Sequence, residues 1–220
     1  MRTSSLTALL VVASLLLMGC TSQVADKQQY SGFLGDYSEL KPSDSASGQP
    51  TLRWISPDYH NSNYNEVVYT PVVYYPAARP TQRISQQTLD EVRNYIDIQL
   101  KGAIATRKPL VSQKGPRSLS VRSAITAVTA ENKGMQFYEM VPIAAVVAGT
   151  MAASGYRIQN SELFLEVEIS DARTGKPLIK VVRKAFGKTV TNSNAPITFA
   201  DLKPGLDTMI RDAVAFDARQ

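Results

Sequence analysis

The most regular pattern of apolar and polar positions predicts an amphipathic helix over residues 85–107. Apolar residues recur every three or four positions and form one stripe, whereas polar residues occupy the opposite side. The stripe consists of Leu89, Val92, Ile96, Leu100, Ala103 and Ile104. Ser85 is a suitable N-cap, and Pro109 follows the pattern as a stop signal. We therefore expect this helix to pack its stripe on the core.

A second helical pattern lies near the C-terminal end of the chain. Its apolar stripe consists of Leu202, Leu206, Met209, Ile210 and Ala213. Thr198 is the predicted N-cap, and Asp201 stands where the partner of a capping box belongs. Pro204 and Gly205 fall near the predicted first turn, where proline costs little.

Alternation of apolar and polar positions predicts a β-hairpin over residues 161–188, with its loop at 171–177. The apolar positions of its first strand are Leu163, Leu165, Val167 and Ile169. The polar positions are Glu162, Glu166 and Glu168, opposite Lys180 and Lys184 on the returning strand. We expect these charges to form a solvated ladder of cross-strand pairs, each worth roughly 0.2–1 kcal/mol.

Three further segments have strand patterns, at residues 52–55, 66–75 and 119–129. Pro71 lacks the N–H that a strand ladder needs, which places its segment at a sheet edge or a bulge. The small, apolar segment 141–155 is too short to span a bilayer. It predicts a short helix packed on the sheet, with a membrane-inserting or self-associating segment as the alternative.

These elements follow the order β-β-α-β-α-β-β-α. That order predicts an α+β fold, in which a mainly antiparallel sheet carries two long helices on one face. The roughly 170 residues after the tether are enough to bury a core without covalent crosslinks. Residues 51–220 are therefore predicted to form a single domain.

Residues 1–19 have the features of a cleaved signal peptide for a lipid-modified protein. An apolar run of about 13 residues follows Arg2, which is too short for a comfortable transmembrane helix. The run ends in Leu-Met-Gly-Cys, and Cys20 is the only cysteine of the chain. This pattern predicts acylation of Cys20 and attachment to a lipid bilayer. The alternative is an ordinary secretory signal with a chance cysteine.

Residues 20–50 are predicted to form the lipidated N-terminus and a tether, with a short ordered island at 30–40. Residues 43–50 are small and polar, which is typical of a flexible segment. Fully extended, residues 21–50 reach at most about 100 Å. Thr21 after the cysteine favours an outer-membrane location with the domain facing the periplasm, and the inner membrane is the alternative.

Composition excludes several classes of function. The net charge of the chain is +5, and its basic residues are scattered rather than clustered with aromatics, so no nucleic-acid partner is expected. Acylation of Cys20 would leave no thiol for a disulfide.

No catalytic or metal-binding set is visible in the sequence. His60 is the only histidine, and a metal site would need further His or Cys ligands. A hydrolase built on Asp58 and His60 would lack the Gly-x-Ser-x-Gly elbow. We therefore expect no enzyme, no cofactor and no metal, with His60 solvated in its loop.

Four tyrosines recur every five residues, at Tyr59, Tyr64, Tyr69 and Tyr74. Tyrosine suits recognition surfaces because it buries a large area at low entropic cost, so these residues are a possible interaction surface. The alternative is an ordinary structural role, since a period of five fits neither a helix nor a strand.

The segment Tyr-Ser-Gly-Phe-Leu-Gly-Asp-Tyr at residues 30–37, followed by Leu40, resembles the bacterial lipoproteins grouped as "domain of unknown function 3313". Residues 69–72, residues 171–175 and the C-terminal helix fit the same pattern. The resemblance implies an envelope location and an α+β fold. It implies no activity, cofactor or catalytic residue.

The sequence thus favours a non-catalytic envelope lipoprotein whose periplasmic domain binds an envelope protein or a cell-wall polymer. An edge strand near Pro71 would receive the partner by strand addition. The alternative partner is a small apolar molecule or a glycan. It would bind in a cleft between the sheet and the helix that contains Ile96 and Leu100. The oligomeric state is not predicted.

Overall fold

One mixed β-sheet and two helices make up the described part of the chain. The structure is a computed structural model, and it describes residue 25 and residues 30–126, 159–190 and 196–216. The strands are β1 Lys41–Asp44, β2 Pro50–Ile55, β3 Glu66–Tyr69, β4 Val73–Tyr74, β5 Leu110–Val111, β6 Ser118–Thr126, β7 Gln159–Asp171 and β8 Pro177–Val190. The helices are α1 Gln86–Ala105 and α2 Phe199–Ala215, with a short 3-10 turn at Asn61–Asn63.

The strands lie in the order β1-β2-β8-β7-β6-β3-β5, and β4 pairs with β6 beside β3. The pairs from β1 to β6 along this path are antiparallel, whereas β3 and β4 run parallel to β6. Parallel neighbours need a crossover, which α1 provides between β4 and β6. The predicted α+β class with a mainly antiparallel sheet is confirmed.

Both predicted helices form, with the predicted N-caps. Ser85 Oγ accepts a hydrogen bond of 3.0 Å from the Thr88 amide. The Asp201 carboxylate accepts one of 2.9 Å from the Thr198 amide, as a capping box requires. α2 lies very close to β8, because a Cβ atom on Gly205 would sit 2.5 Å from the Phe186 carbonyl oxygen.

The two faces of the β7–β8 hairpin are covered differently. Leu163, Leu165 and Ala185 face the helices and belong to the largest core cluster, with residues of α1 and α2. The opposite face carries Phe164 and Val182, which pack with Leu34 and Ala25. The helices therefore cover one face of the sheet, and the N-terminal segment of the domain covers the other.

Residues 30–40, here termed the strap, dock on this second face. The Glu166 carboxylate accepts hydrogen bonds from the Ser31 amide at 3.2 Å and from the Tyr37 hydroxyl at 2.6 Å. Lys180 donates to the Asp36 carbonyl at 2.6 Å. Gly35, at φ 72°, closes a tight turn in the left-handed region that glycine adopts without strain.

The prediction that the charges of the hairpin form a solvated ladder is wrong. Glu166 has no exposed surface, and Glu168, Lys180 and Lys184 are also buried. Register places Glu168 opposite Lys180, but the Glu168 carboxylate binds Arg122 at 2.8 Å instead. The strap causes the difference, because its residues are remote in sequence and cover charges that would otherwise face water. The side chain of Glu162 lies outside the described residues.

Three local features differ from the predicted elements. Residues 41–44 form β1 and pair with β2, where a flexible polar segment is expected from Ser43 onward. The predicted strand 66–75 divides into β3 and β4 at Pro71, which cannot donate to the ladder. The two-residue strand β5 has no counterpart among the predictions.

The predicted signal peptide, Cys20 and the segment 141–155 lie outside the described residues. Within the ranges that the structure describes, neither helix combines the length and the apolarity needed to cross a bilayer.

Candidate functional site

A cavity of about 1030 Å³ lies between the helices and the sheet. α1 and α2 line it with residues near their C-terminal ends, and β6, β7 and β8 form its floor. Its apolar lining includes Leu100, Ile104, Met209, Val121, Leu165 and Ile179. This is the cleft between α1 and the sheet that the sequence proposes as an alternative ligand site.

A buried ion pair lies in the wall of the cavity. Arg183 Nη2 donates to Asp212 Oδ2 at 2.7 Å, and both side chains are only 9% exposed. Arg183 also donates to the Pro50 carbonyl at 2.8 Å, while Asp212 accepts from the Ser47 amide at 2.8 Å. The pair thus joins β8 and α2 to the turn between β1 and β2.

Two polar atoms in the cavity lining lack partners among the described residues. Ser123 Oγ and Arg183 Nε are buried and make no hydrogen bond there. A buried polar group without a partner costs about 1–3 kcal/mol. Both residues line the cavity, but these two atoms have almost no accessible surface, so a molecule inside the cavity would accept from them only after a rotation of the side chain.

Exposed residues form the mouth of the cavity, among them Asp44, His60 and Arg107. The 3-10 turn brings His60 there, and residues just beyond α1 contribute Arg107 and Lys108. Arg107 Nη2 donates to the Val214 carbonyl at 2.5 Å, which connects the ends of the two helices.

Lys108 is fixed by main-chain carbonyls. Its Nζ donates to Tyr64 O at 2.6 Å and to Asn61 O at 3.3 Å. Burial lowers the pKa of Lys108 below its usual range, and the nearby Arg117 charge lowers it further.

The four predicted tyrosines do not form one surface. The Tyr69 hydroxyl donates to Asp97 Oδ1 at 2.8 Å, and the Tyr74 hydroxyl donates to the Leu89 carbonyl at 2.7 Å. Burial raises the pKa of Tyr69 and that of Tyr74. These two side chains attach the β3–β4 region to α1. Whether they also contact a partner stays a prediction.

Tyr59 and Tyr64 stack beside the cavity, with ring centroids 6.2 Å apart. Tyr59 is part of the cavity lining, and the Tyr64 hydroxyl donates to Asp171 at 3.1 Å. The structure therefore brings these two tyrosines to the candidate site and the other two to α1.

The structure places Asp58 and His60, the residues considered for hydrolytic chemistry, at exposed positions. His60 is exposed, and the Asp58 carboxylate accepts a hydrogen bond of 2.5 Å from Lys176. This contact lowers the pKa of Asp58. Across the described ranges, no cluster of three or more His, Cys, Asp or Glu side chains suits a metal ion.

The sequence analysis does not identify the polar residues of the cavity, although their signals are present. Arg183 occupies the helix-facing register of β8, between Val181 and Ala185. Asp212 interrupts the apolar stripe of α2 beside Ala213. A charge at an inward position on each of two packed elements indicates a buried pair.

Comparison with known proteins places the chain in a family. A family model described as "Protein of unknown function (DUF3313)" matches residues 29–213. The chain is 45% identical over 221 residues to the "Uncharacterized lipoprotein YdcL" of Escherichia coli K12, and the match covers 100% of both chains. The same protein of Escherichia coli O157:H7 matches equally well. These relatives are lipoproteins, and their names assign no reaction.

Solved structures resemble the chain only loosely. A PelC dodecamer from Paraburkholderia phytofirmans has a TM-score of 0.34 at 9% identity, covering 77% of this chain and 98% of that one. Protein XCC0632 from Xanthomonas campestris, of family DUF330, has a TM-score of 0.40 at 7% identity, covering 73% and 87%. At these TM-scores, neither structure supports an argument about function.

Proposed function

The chain belongs to the DUF3313 family of lipoproteins, and from that premise we propose that it is a non-catalytic, lipid-anchored binding protein of the bacterial envelope. Its ligand is a small apolar or amphipathic molecule, which occupies the cavity between the helices and the sheet.

The cavity is the observation that carries this proposal. Ligand pockets in proteins typically measure about 300–1,000 Å³ and combine mostly apolar walls with a few fixed polar groups. The cavity here, at about 1030 Å³, has the same character. Its walls are mainly aliphatic, and its polar groups are the Arg183–Asp212 pair, Ser123 and the residues of the mouth. A small-molecule ligand fits this geometry better than the protein partner that the sequence favours.

A non-catalytic role accords with the state of the polar residues. Asp58 lies in an exposed ion pair with Lys176, and His60 is exposed as well, whereas the carboxylate that orients a catalytic histidine is typically buried. The relatives are named only as lipoproteins, without a reaction.

The proposed location follows from the leader and from the relatives. We propose that Cys20 carries the acyl chains, that the anchor is in the outer membrane, and that the domain faces the periplasm. The Leu-Met-Gly-Cys sequence, Thr21 at the next position and the lipoprotein relatives support this arrangement.

Filling the cavity tests the proposal. In the Ala213→Phe variant, a ring enters the cavity from α2, and native mass spectrometry follows any small molecule that copurifies with the full chain. The matched control is Ala200→Phe, at an exposed position of the same helix and away from the cavity. We expect the ligand adduct in the wild-type protein and in the control, but at least tenfold less in Ala213→Phe.

Circular dichroism must show that both variants keep their helices. An adduct that survives unchanged in a folded Ala213→Phe protein would place the ligand elsewhere. The proposed function is wrong if the wild-type protein carries no small molecule and binds neither 1-tetradecanoyl-glycerol 3-phosphate nor 1-tetradecanoylglycerol.

A second candidate function is the binding of an envelope protein at β4. Among the described residues, β4 pairs only with β6, and Val73 and Tyr75 are 44% and 43% exposed. A free edge of this kind can accept a strand from a partner. A photoreactive residue at position 73 should then crosslink a protein in cells, whereas one at the exposed position of Ile98 on α1 should not.

A further inference from the structure

We infer that the ligand of the cavity is an acyl lipid with an anionic head group, whose chain lies on the apolar walls and whose head lies at the mouth beside Arg107 and Lys108. This inference rests on the proposed function, because it names the chemical class that the same cavity would bind.

The charge of the lining favours an anion. Among the described residues of the lining, four are Arg or Lys, at positions 53, 107, 108 and 183, and two are acidic, Asp44 and Asp212. Asp212 is already bound to Arg183, so this ion pair contributes little net charge. Of the four charged side chains that remain, three are basic and one, Asp44 at the mouth, is acidic, so the balance is positive.

Main-chain carbonyls hold the two cations beyond α1 in place. Arg107 donates to the Val214 carbonyl, and Lys108 donates to the carbonyls of Tyr64 and Asn61. Carbonyl oxygens position these side chains but do not neutralise their charge. Fixed cations at the rim of an apolar cavity suit a phosphate or a carboxylate, because charge-assisted hydrogen bonds are about twice as strong as neutral ones.

The interior favours a long apolar group that also carries a neutral oxygen. Leu100, Ile104, Met209 and the strand residues supply aliphatic walls. Ser123 Oγ and Arg183 Nε are donors without an acceptor in the described part of the chain. An ester carbonyl suits such donors better than a second anion does, because the carboxylate of Asp212 lies close to Arg183. These features together describe an acyl ester with a charged head.

The test compares two probes that differ only in the head group. They are 1-tetradecanoyl-glycerol 3-phosphate and 1-tetradecanoylglycerol, each titrated against the full chain and followed by native mass spectrometry. We expect the phosphate probe to bind about tenfold more tightly, as loss of a hydrogen bond to a charged group implies. The dodecanoyl phosphate should bind about fifteenfold more weakly than the tetradecanoyl one, since each methylene contributes about fourfold.

Substitutions locate the head group. The double variant Arg107→Gln and Lys108→Gln should lose the preference for phosphate while it binds the neutral probe as the wild type does. The matched control is Lys101→Gln, which removes an exposed cation of α1 outside the cavity lining and should keep the preference. Ser123→Ala should weaken both probes a few-fold, through loss of one internal donor.

The outcomes separate this inference from the proposed function. Equal affinity of the wild type for both probes overturns the anionic head group, while the cavity remains a ligand site. An affinity without dependence on chain length overturns the placement of the chain in the cavity. If neither probe binds the wild type and no small molecule copurifies with it, both proposals fail. The comparison of probes needs no variant, so a poorly folded double variant cannot obscure it.

Discussion

The Tyr37 hydroxyl donates a hydrogen bond of 2.6 Å to the fully buried Glu166 carboxylate, and so fixes the strap to the centre of β7. The Ser31 amide donates to the other oxygen of the same carboxylate at 3.2 Å. Tyr37 also stacks on Tyr30, with centroids 4.3 Å apart. A buried carboxylate on the strap-covered face of the sheet is thus compensated by groups from a segment 129 and 135 positions away in sequence.

The first prediction concerns this hydrogen bond. Tyr37→Phe keeps the stacked ring but removes a donor from a buried carboxylate, so the free energy of unfolding should fall by about 1–3 kcal/mol. Urea denaturation followed by circular dichroism measures the change. The control is Tyr59→Phe, whose hydroxyl makes an exposed contact with Asn61 and should matter little. Equal stability of Tyr37→Phe and the wild type would show that the bond contributes nothing.

Tyr37 also predicts a dependence of stability on alkaline pH. Burial, aided by the hydrogen bond to Glu166, raises the pKa of Tyr37 to about 12 from its ordinary value of 10.0. The unfolded chain therefore ionises this tyrosine first, and the unfolded state gains stability between these two values. The contribution is complete below pH 10 and is lost as pH rises toward 12. Tyr37→Phe should reduce the loss of stability over this interval in denaturation curves recorded at each pH.

Other tyrosines, including Tyr69 and Tyr74, have raised pKa values and add to the same decline. The measured quantity is therefore the difference between the wild type and Tyr37→Phe, not the total slope. Parallel pH profiles for the two proteins would contradict the role assigned to Tyr37.

The third prediction concerns the ion pair in the cavity wall. Asp212→Asn leaves Arg183 buried without its counter-charge, and the free energy of unfolding should fall by about 3–5 kcal/mol. The control is Asp58→Asn, because the Lys176–Asp58 pair is exposed and should contribute little. Replacing both partners, as Arg183→Met with Asp212→Leu, should restore most of the lost stability. A double variant no more stable than Asp212→Asn would show that the pair itself holds α2 in place.

The sequence predicts those parts of the fold that local patterns determine. The α1 stripe, the caps at Ser85 and Thr198 and the alternation along β7 and β8 all depend on neighbouring residues, and the structure shows each of them. The burial of Glu166 and Lys180 is different, because it depends on the strap that covers them. Alternation identifies the face on which a charge lies, but not what covers that face.

The candidate site is less accessible to sequence reasoning for a similar reason. The cleft beside Leu100 can be proposed from the helix stripe, but its volume depends on the positions of the two helix ends relative to the sheet. Arg183 and Asp212 meet across 29 positions, and the Ser47 amide joins them across 165. Such contacts follow from the assembled fold rather than from spacing within any one element.

The fourth prediction uses two glycines in similar local settings. A Cβ atom at Gly205 would meet the Phe186 carbonyl oxygen, so Gly205→Ala should destabilise the protein by about 1–3 kcal/mol through displacement of α2 from β8. Gly102 lies within α1 with nothing within 4 Å of such an atom. Gly102→Ala should therefore stabilise by about 0.5–1 kcal/mol through helix propensity. Thermal unfolding of both variants measures the two signs, and a stabilising Gly205→Ala would refute the close contact.

The last prediction concerns the distance between the domain and its proposed anchor. Ala25 is already buried against Leu34, Leu52 and Phe164, and only four residues lie between it and Cys20, so the two positions are five residue steps apart. Five residues span at most about 18 Å, far less than the reach of about 100 Å expected for a tether that extends to residue 50. Acylation of Cys20 would therefore hold the strap side of the domain near the bilayer.

A photoreactive residue at the exposed strap position Ser38 should accordingly crosslink lipid in membranes, whereas one at Ile98, on a helix covering the other face, should not. Cys20→Ser should abolish both this crosslink and the incorporation of labelled palmitate, because the acceptor thiol is lost. Lipid crosslinks of equal yield at the two positions would mean that the strap does not orient the domain. Cys20 is the only cysteine of the chain, so Cys20→Ser has no thiol to which a lipid could be attached. Palmitate that persists in this variant would therefore show that the lipid is attached through another kind of group, and the assignment of Cys20 would be wrong.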